Sequence, residues 1–150
     1  MIKLSMIDAQ KINGLKVKKK PNIVIFGGCW CVGAQAQKNK HLNFPINKLE
    51  KQKDNNKVWR QKVNSELKNN YKMIFKLIDK LIFLKVPSFK YVFKWRLLQE
   101  KKLRIASKGK KTMNDKQIEN FIMYYERITK HMLKTLPEKS NTMINIDKTH

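Results

Sequence analysis

The 150-residue chain carries 34 basic against 11 acidic residues, a formal net charge of +23, with 41% hydrophobic and 30% charged positions. That balance belongs to a globular chain rather than a disordered one, and a single domain of this length buries roughly 70% of the surface its unfolded form exposes. No apolar run approaches the ~20 residues of a membrane helix, and MIKLSMIDAQ lacks the charged-then-apolar order of a signal peptide, so the sequence reads as cytoplasmic with no membrane partner.

So basic a surface binds phosphate backbones nonspecifically by releasing their counterions, which makes nucleic acid an expected partner. The basic residues are nearly all lysine, however: only Arg60, Arg96, Arg104 and Arg127 are arginine, the side chain whose planar fork reads bases. Abundant lysine, asparagine and isoleucine point instead to compositional drift in an AT-rich genome. Cys29 and Cys31 are too few for a disulfide framework, and His41, His131 and His150 fall into no ligand spacing, so no metal site is expected.

In chain order, residues 1–20 form a basic N-terminal segment with Asn13-Gly14 as a turn signal. Residues 23–26, Ile-Val-Ile-Phe, read as a strand buried on both faces, because the run is short, apolar and without alternation. It opens into a loop of small residues, Gly28 to Ala34, where a backbone can approach a ligand closely. A loop at the carboxyl end of such a strand is where open α/β sheets place ligands, which makes it the candidate site. Asn47 with Glu50 three residues on marks a helix start. A second helix is predicted over 57–76, with Val58, Trp59, Val63, Leu67, Tyr71, Ile74 and Phe75 as its apolar stripe. Residues 81–86 read as another buried strand, stopped by Pro87. Ser88 then caps a helix with Phe89, Val92, Phe93, Leu97 and Leu103 on its apolar face. Residues 107–112 are a flexible connector. The clearest helix runs over 114–134, with Asn114 as N-cap, Gln117 at the capping-box position and Ile118, Phe121, Ile122, Tyr125, Ile128 and Met132 inward. Residues 142–146 form a third strand. This alternation predicts an α/β layered domain with a parallel sheet and right-handed crossovers.

The stretch Trp30-Cys31-Val32-Gly33-Ala34 resembles the Glu-Gly-Trp-Cys-Val-Gly-Ala element that follows a core strand in bacterial D-glycerate 3-kinases, a group of P-loop kinases. One residue is inserted here and the glutamate is replaced by glycine. The resemblance continues through Asp8; Asn47, Leu49, Glu50 and Asp54; Trp59-Arg60 and Asn64; the run from Trp95-Arg96 through Gln99-Glu100 to Leu103-Arg104; and Tyr125-Glu126-Arg127-Ile128-Thr129. It implies a three-layer P-loop kinase-type domain transferring phosphate from ATP, with Mg2+, to a small hydroxy acid. Its implied site has Asp8, Arg96 and Arg104 in catalysis, Trp30, Cys31, Gly33, Trp59 and Arg60 around the substrate, and Lys101 and Arg127 at the cofactor. Arg96 and Arg104, eight residues apart on one helix, lie on roughly one face and can serve one anionic group, as phosphoryl transfer requires.

No Gly-x-x-x-x-Gly-Lys-Ser/Thr segment occurs in the sequence, so the backbone cradle that holds a β-phosphate is missing, as is the core-strand glutamate. Residues 21–150 are therefore expected to be the carboxyl-terminal portion of such a domain, incomplete by itself and functional only with a complementing N-terminal fragment that supplies the phosphate loop, or not at all. In that arrangement the strand feeding the phosphate loop would lie between residues 23–26 and 81–86. The alternative expectation is a basic nucleic-acid-binding protein built on a kinase remnant.

Overall fold

A computed structural model describes residues 22–27, 31–107 and 112–148. The connector near 108–111 and residues 1–21, with Asp8, lie outside the described residues, as do Gly28, Cys29 and Trp30.

The described fold is α/β. A 3-10 turn over Asn39–Leu42 leads to three short helices, α1 (Lys48–Lys53), α2 (Val58–Lys68) and α3 (Asn70–Phe75). Strand β1 (Ile82–Lys85), the long helices α4 (Phe89–Ala106) and α5 (Asp115–Thr135), and strand β2 (Thr142–Asn145) follow. β1 and β2 pair in parallel, Ile82 opposite Thr142 and Lys85 opposite Asn145, so the α4–α5 pair forms the crossover that a parallel pairing requires. Asn141 locks the register where the strands begin: its N–H donates to the Leu81 carbonyl at 2.9 Å and its Oδ1 accepts from the Leu81 N–H at 2.8 Å.

The caps read from sequence form. Oδ1 of Asn47 accepts from the Glu50 N–H at 2.9 Å, and Asn114 with Gln117 makes a reciprocal capping box that starts α5. Ser88 holds the N-cap position of α4 in extended backbone, but its side chain makes no capping bond. Helix α5 organises the core: Ile118 and Ile122 are buried, Leu136 closes its end, and it packs on both α4 and α1. No helix among the described residues is long and apolar enough to cross a membrane.

Two expectations are corrected. Residues 23–26 are not a buried strand: they pair with no described strand, and Ile23, Val24 and Ile25 are 80%, 74% and 85% exposed. An apolar β-branched run becomes a strand only when a neighbour takes its N–H and C=O groups, and the described sheet has two strands, neither of which reaches it. The helix over 57–76 is broken at Asn69 (φ −105°, ψ −83°), where two consecutive asparagines, whose side chains compete with the helical backbone, separate α2 from α3. Val58 and Ile74, placed on its apolar stripe, are exposed, as is Leu103 on α4; the buried positions of α2 are Arg60, Asn64 and Leu67.

Replacing Asn114 by Ala should lower stability by about 1 kcal/mol through loss of the cap, whereas Ile118→Ala should cost about 2–5 kcal/mol through the cavity it leaves. Urea denaturation followed by circular dichroism gives both values.

Candidate functional site

Among the described residues the interior holds as many polar and charged side chains as hydrophobic ones. Ala34, Leu42, Leu67, Ile118, Ile122 and Leu136 are buried, and so are Glu50, Asp54, Arg60, Asn64, Glu100 and Arg127. Burying a carboxylate or a guanidinium is costly unless it is paired and its remaining hydrogen-bonding capacity is met, so the pairing decides what this region is.

Arg127, on α5, uses every N–H of its guanidinium. Nε and Nη2 donate to the two Glu50 carboxylate oxygens at 2.7 and 2.6 Å, Nη1 to the His41 carbonyl at 2.8 Å and Gln37 Oε1 at 3.3 Å, and Nη2 also to the Phe44 carbonyl at 2.8 Å. Glu50, wholly buried on α1, also accepts from the Ile46 N–H at 3.0 Å. Nearby, Asn47 Nδ2 donates to the Met123 carbonyl and to Glu126 Oε2, so α1 is tied to α5 at two points.

Arg60, on α2, is arranged similarly but not completely. Nε donates to the Leu42 carbonyl at 2.7 Å, and Nη1 to the Asp54 carboxylate at 2.9 Å and to the Asp54 carbonyl. Asp54 in turn accepts from the Trp59 and Arg60 N–H groups at 2.7 and 3.1 Å, serving as the anionic cap of α2. Burial alone would raise the Asp54 carboxyl, but those two backbone bonds and the Arg60 guanidinium outweigh it and hold it below its ordinary range. Arg60 Nη2 has no hydrogen-bond partner among the described residues.

Trp59, Arg60 and Arg127 line one cavity together with Gln37, Asn64, Tyr124 and His131. Trp59 meets Tyr124 edge-on, with ring centroids 5.6 Å apart, and Asn64 is fixed by exchanging hydrogen bonds with the Gln37 backbone. Its volume is about 20 Å³, room for a single water and too little for a three-carbon acid. His131 Nε2, also on this cavity, is buried without a partner among the described residues. Burial, reinforced by His41, Lys134 and Lys139, lowers its affinity for a proton.

Arg96 and Arg104 share a face of α4, as their spacing implies, and that face meets the start of α5. Arg96 pairs with buried Glu100 at 2.9 Å, donates to Gln99 Oε1 and lies over the Phe121 ring at 5.6 Å. Glu100 accepts the Met113 N–H at 2.8 Å, and Arg104 donates to the Met113 carbonyl at 2.8 Å and pairs with Asp115 at 3.5 Å. Lys101 is exposed. Gly33 sits in a turn closed by the bond from the Ala34 N–H to the Cys31 carbonyl, with half-buried Cys31 at its start. At φ +77° it favours glycine, and a Cβ there would meet Leu81 Cδ2 at 3.0 Å, so the close approach it permits is to Leu81.

Trp59, Arg60 and Arg127 thus converge on one cavity, whereas Arg96 and Arg104 gather at the start of α5. Sequence reasoning took Glu50 and Asp54 as markers of helix start and resemblance and gave Glu100 no site role. The i, i+4 spacing of Arg96 and Glu100 was the available signal for one of these pairs. A larger cavity, about 1180 Å³, lies elsewhere, between residues 22–27 and the segment from Ile74 through β1 to Val86. Its described lining is mostly apolar and includes no arginine.

The class these observations define is an α/β chain, a two-strand parallel sheet accompanied by helices that are clamped through buried arginine–carboxylate pairs. Among curated proteins it is similar to an uncharacterized kinase of Schizosaccharomyces pombe, mug58, with 31% identity over 122 residues, covering 81% of this chain and 42% of the relative. The chain therefore spans less than half the length of the curated relative it matches. No family profile matches, and no solved structure does.

Breaking the Arg127–Glu50 pair from one side leaves a buried charge uncompensated, so Arg127→Met should cost about 3–5 kcal/mol, and Glu50→Leu in the same chain should restore much of it. Differential scanning calorimetry reads both. His131 favours its neutral form when folded, so the unfolded chain takes up a proton the folded one refuses. Stability should fall as pH drops below about 6.5, and His131→Gln should flatten that slope. Asp54 has the opposite charge but a depressed value, so its contribution persists through this window and is lost at lower pH, below the ordinary carboxylate range.

Proposed function

We propose that this chain is the carboxyl-terminal portion of a kinase-like phosphotransferase of the D-glycerate 3-kinase type, acting on a small hydroxy acid only when a second segment supplies the phosphate loop. The similarity over 122 residues to a kinase more than twice as long as the matched span carries the reading. The resemblance of Trp30 to Ala34, Trp95 to Arg104 and Tyr125 to Thr129 to the glycerate kinases gives the finer assignment.

The residues present do not fit ATP and magnesium. The sequence lacks the glycine-rich loop, and no group of three His, Cys, Asp or Glu among the described residues is placed to hold a metal ion. Arg127 is saturated by protein acceptors, and Arg96 and Arg104 are ion-paired. No step of phosphoryl transfer is therefore assigned to these side chains. Their role in this reading is positional: they set the angle between α4, α5 and the α1–α2 segment on which a complete site would stand. The isolated chain should show no ATP turnover with D-glycerate above a no-protein control in a coupled ADP assay, and robust phosphorylation would overturn the reading.

A second reading, nonspecific nucleic-acid binding, is favoured by the +23 charge together with one structural observation. All four arginines pair with carboxylates of this chain, which leaves lysines to carry the surface charge. Point-charge lysines attract phosphates without reading bases. Binding to random-sequence duplex DNA should then fall steeply between about 50 and 200 mM salt with no preference among sequences, measured by fluorescence anisotropy.

A further inference from the structure

Helix α4 carries two apolar stripes and turns one of them toward α5. Phe89, Val92, Phe93 and Leu97 lie on the side of buried Glu100, where Lys130 of α5 sits over the Phe89 ring at 5.8 Å. The second stripe lies on the opposite side. At about 100° per residue, Tyr91, Leu98 and Ile105, at i, i+7 and i+14, fall within about 40° of one another, and Trp95 lies about 60° from Leu98. The stripe is about 21 Å long and about 80° wide. Leu98 and Ile105 are 46% and 82% exposed, and the half-buried rings of Tyr91 and Trp95 stand 6.0 Å apart. The apolar trough of about 1180 Å³ beside residues 22–27 takes only Val92 from α4, so this stripe lies outside it. Exposed lysines accompany it: Lys94 and Lys101 follow one border, and Lys102 interrupts the stripe itself. The single carboxylate of α4, Glu100, is buried on the other side and paired with Arg96.

We infer that this outer face of α4 docks an acidic amphipathic helix of another protein. With Tyr91, Leu98 and Ile105 as d positions of a heptad, Trp95 and Lys102 fall at a, and Lys94 and Lys101 at g. A stripe this narrow is a seam for one helix; a helix lying in a membrane interface presents a broad apolar face with no lysine inside it. Lysines at g and at one a position choose a partner with Asp or Glu opposite them. None of the helices described in this chain has an excess of carboxylates, so the partner is another molecule. A second copy would bring two lysine-bearing faces together, each on a chain of +23. A nucleic-acid backbone would meet the lysines but leave Leu98 and Ile105 without an apolar partner. The inference stands on α4 alone and not on the function proposed above.

The test uses the full chain and a labelled synthetic helix of repeated Glu-Ile-Glu-Ala-Leu-Glu-Ala, with a scrambled peptide of the same composition and charge as control. Fluorescence anisotropy at about 150 mM salt, where bare charge attraction is screened over ~8 Å, should show the heptad peptide binding at least about tenfold more tightly than its scramble. Amide chemical shifts should move at Tyr91, Lys94, Leu98, Lys101 and Ile105. Leu98→Asn and Ile105→Asn should each weaken binding at least about fivefold. Both side chains are exposed, so an unchanged circular dichroism spectrum shows that the fold survives. Equal binding of the scrambled peptide assigns the attraction to net charge and overturns the inference, and shifts at Ile82 and Leu84 in place of α4 overturn the site. Binding to phosphatidylserine vesicles or to random-sequence DNA that Leu98→Asn abolishes, while the heptad peptide does no better than its scramble, overturns the helical partner in favour of that surface. Dimers seen by light scattering and dispersed by Leu98→Asn overturn it in favour of a second copy.

Discussion

The hydrogen bonding of the Arg127 guanidinium is the constraint on which the arrangement of helices depends. Five N–H groups converge on acceptors from Gln37, His41, Phe44 and Glu50, so one side chain of α5 holds both the segment before α1 and α1 itself. α1 is six residues long, too short to persist in water, and its Asn47 cap is itself bonded to α5. Its existence is therefore a tertiary fact, conditional on the ion pair, and Asp54 at its end then places α2 by capping it. A chain of dependence runs from Arg127 to Glu50, through α1, to Asp54 and Arg60.

This use of charge divides the basic residues by type. Arginine, with a fixed fork able to satisfy several acceptors at once, goes to the four carboxylate pairs, and lysine to the surface. The two pairs buried on both sides, Arg60–Asp54 and Arg127–Glu50, contribute little net free energy compared with well-packed hydrocarbon, but they are intolerant of one-sided change and specify geometry. The similarity to a kinase fits this division: the chain holds an internally braced framework in which each of the four arginines is paired with one of its own carboxylates.

Legibility in the sequence followed locality. β1, α5 and β2 were readable to within a residue or two because strand length, a capping box and a clean helical period are written in adjacent residues. The caps at Asn47 and Asn114 were readable for the same reason. The run 23–26 was misread because strand formation is decided by a neighbour, and its composition says only that it would suit one. The break at Asn69 was lost in a stripe that continued across it. The arginines were read by the chemistry they can perform, with ligands in view, although three of their four partners lie within eleven residues of them in the sequence. Only Arg127 and Glu50, 77 positions apart, required the fold to bring them together.

The coexistence of bare apolar edges with an excess of lysine has a colloidal consequence. A trough walled by exposed isoleucine and leucine would ordinarily promote coagulation, and mutual repulsion among chains of like charge opposes it. That repulsion is screened over ~8 Å at physiological ionic strength and over ~3 Å at 1 M, so the protection that charge gives this chain against association weakens as its counterion cloud thickens with salt.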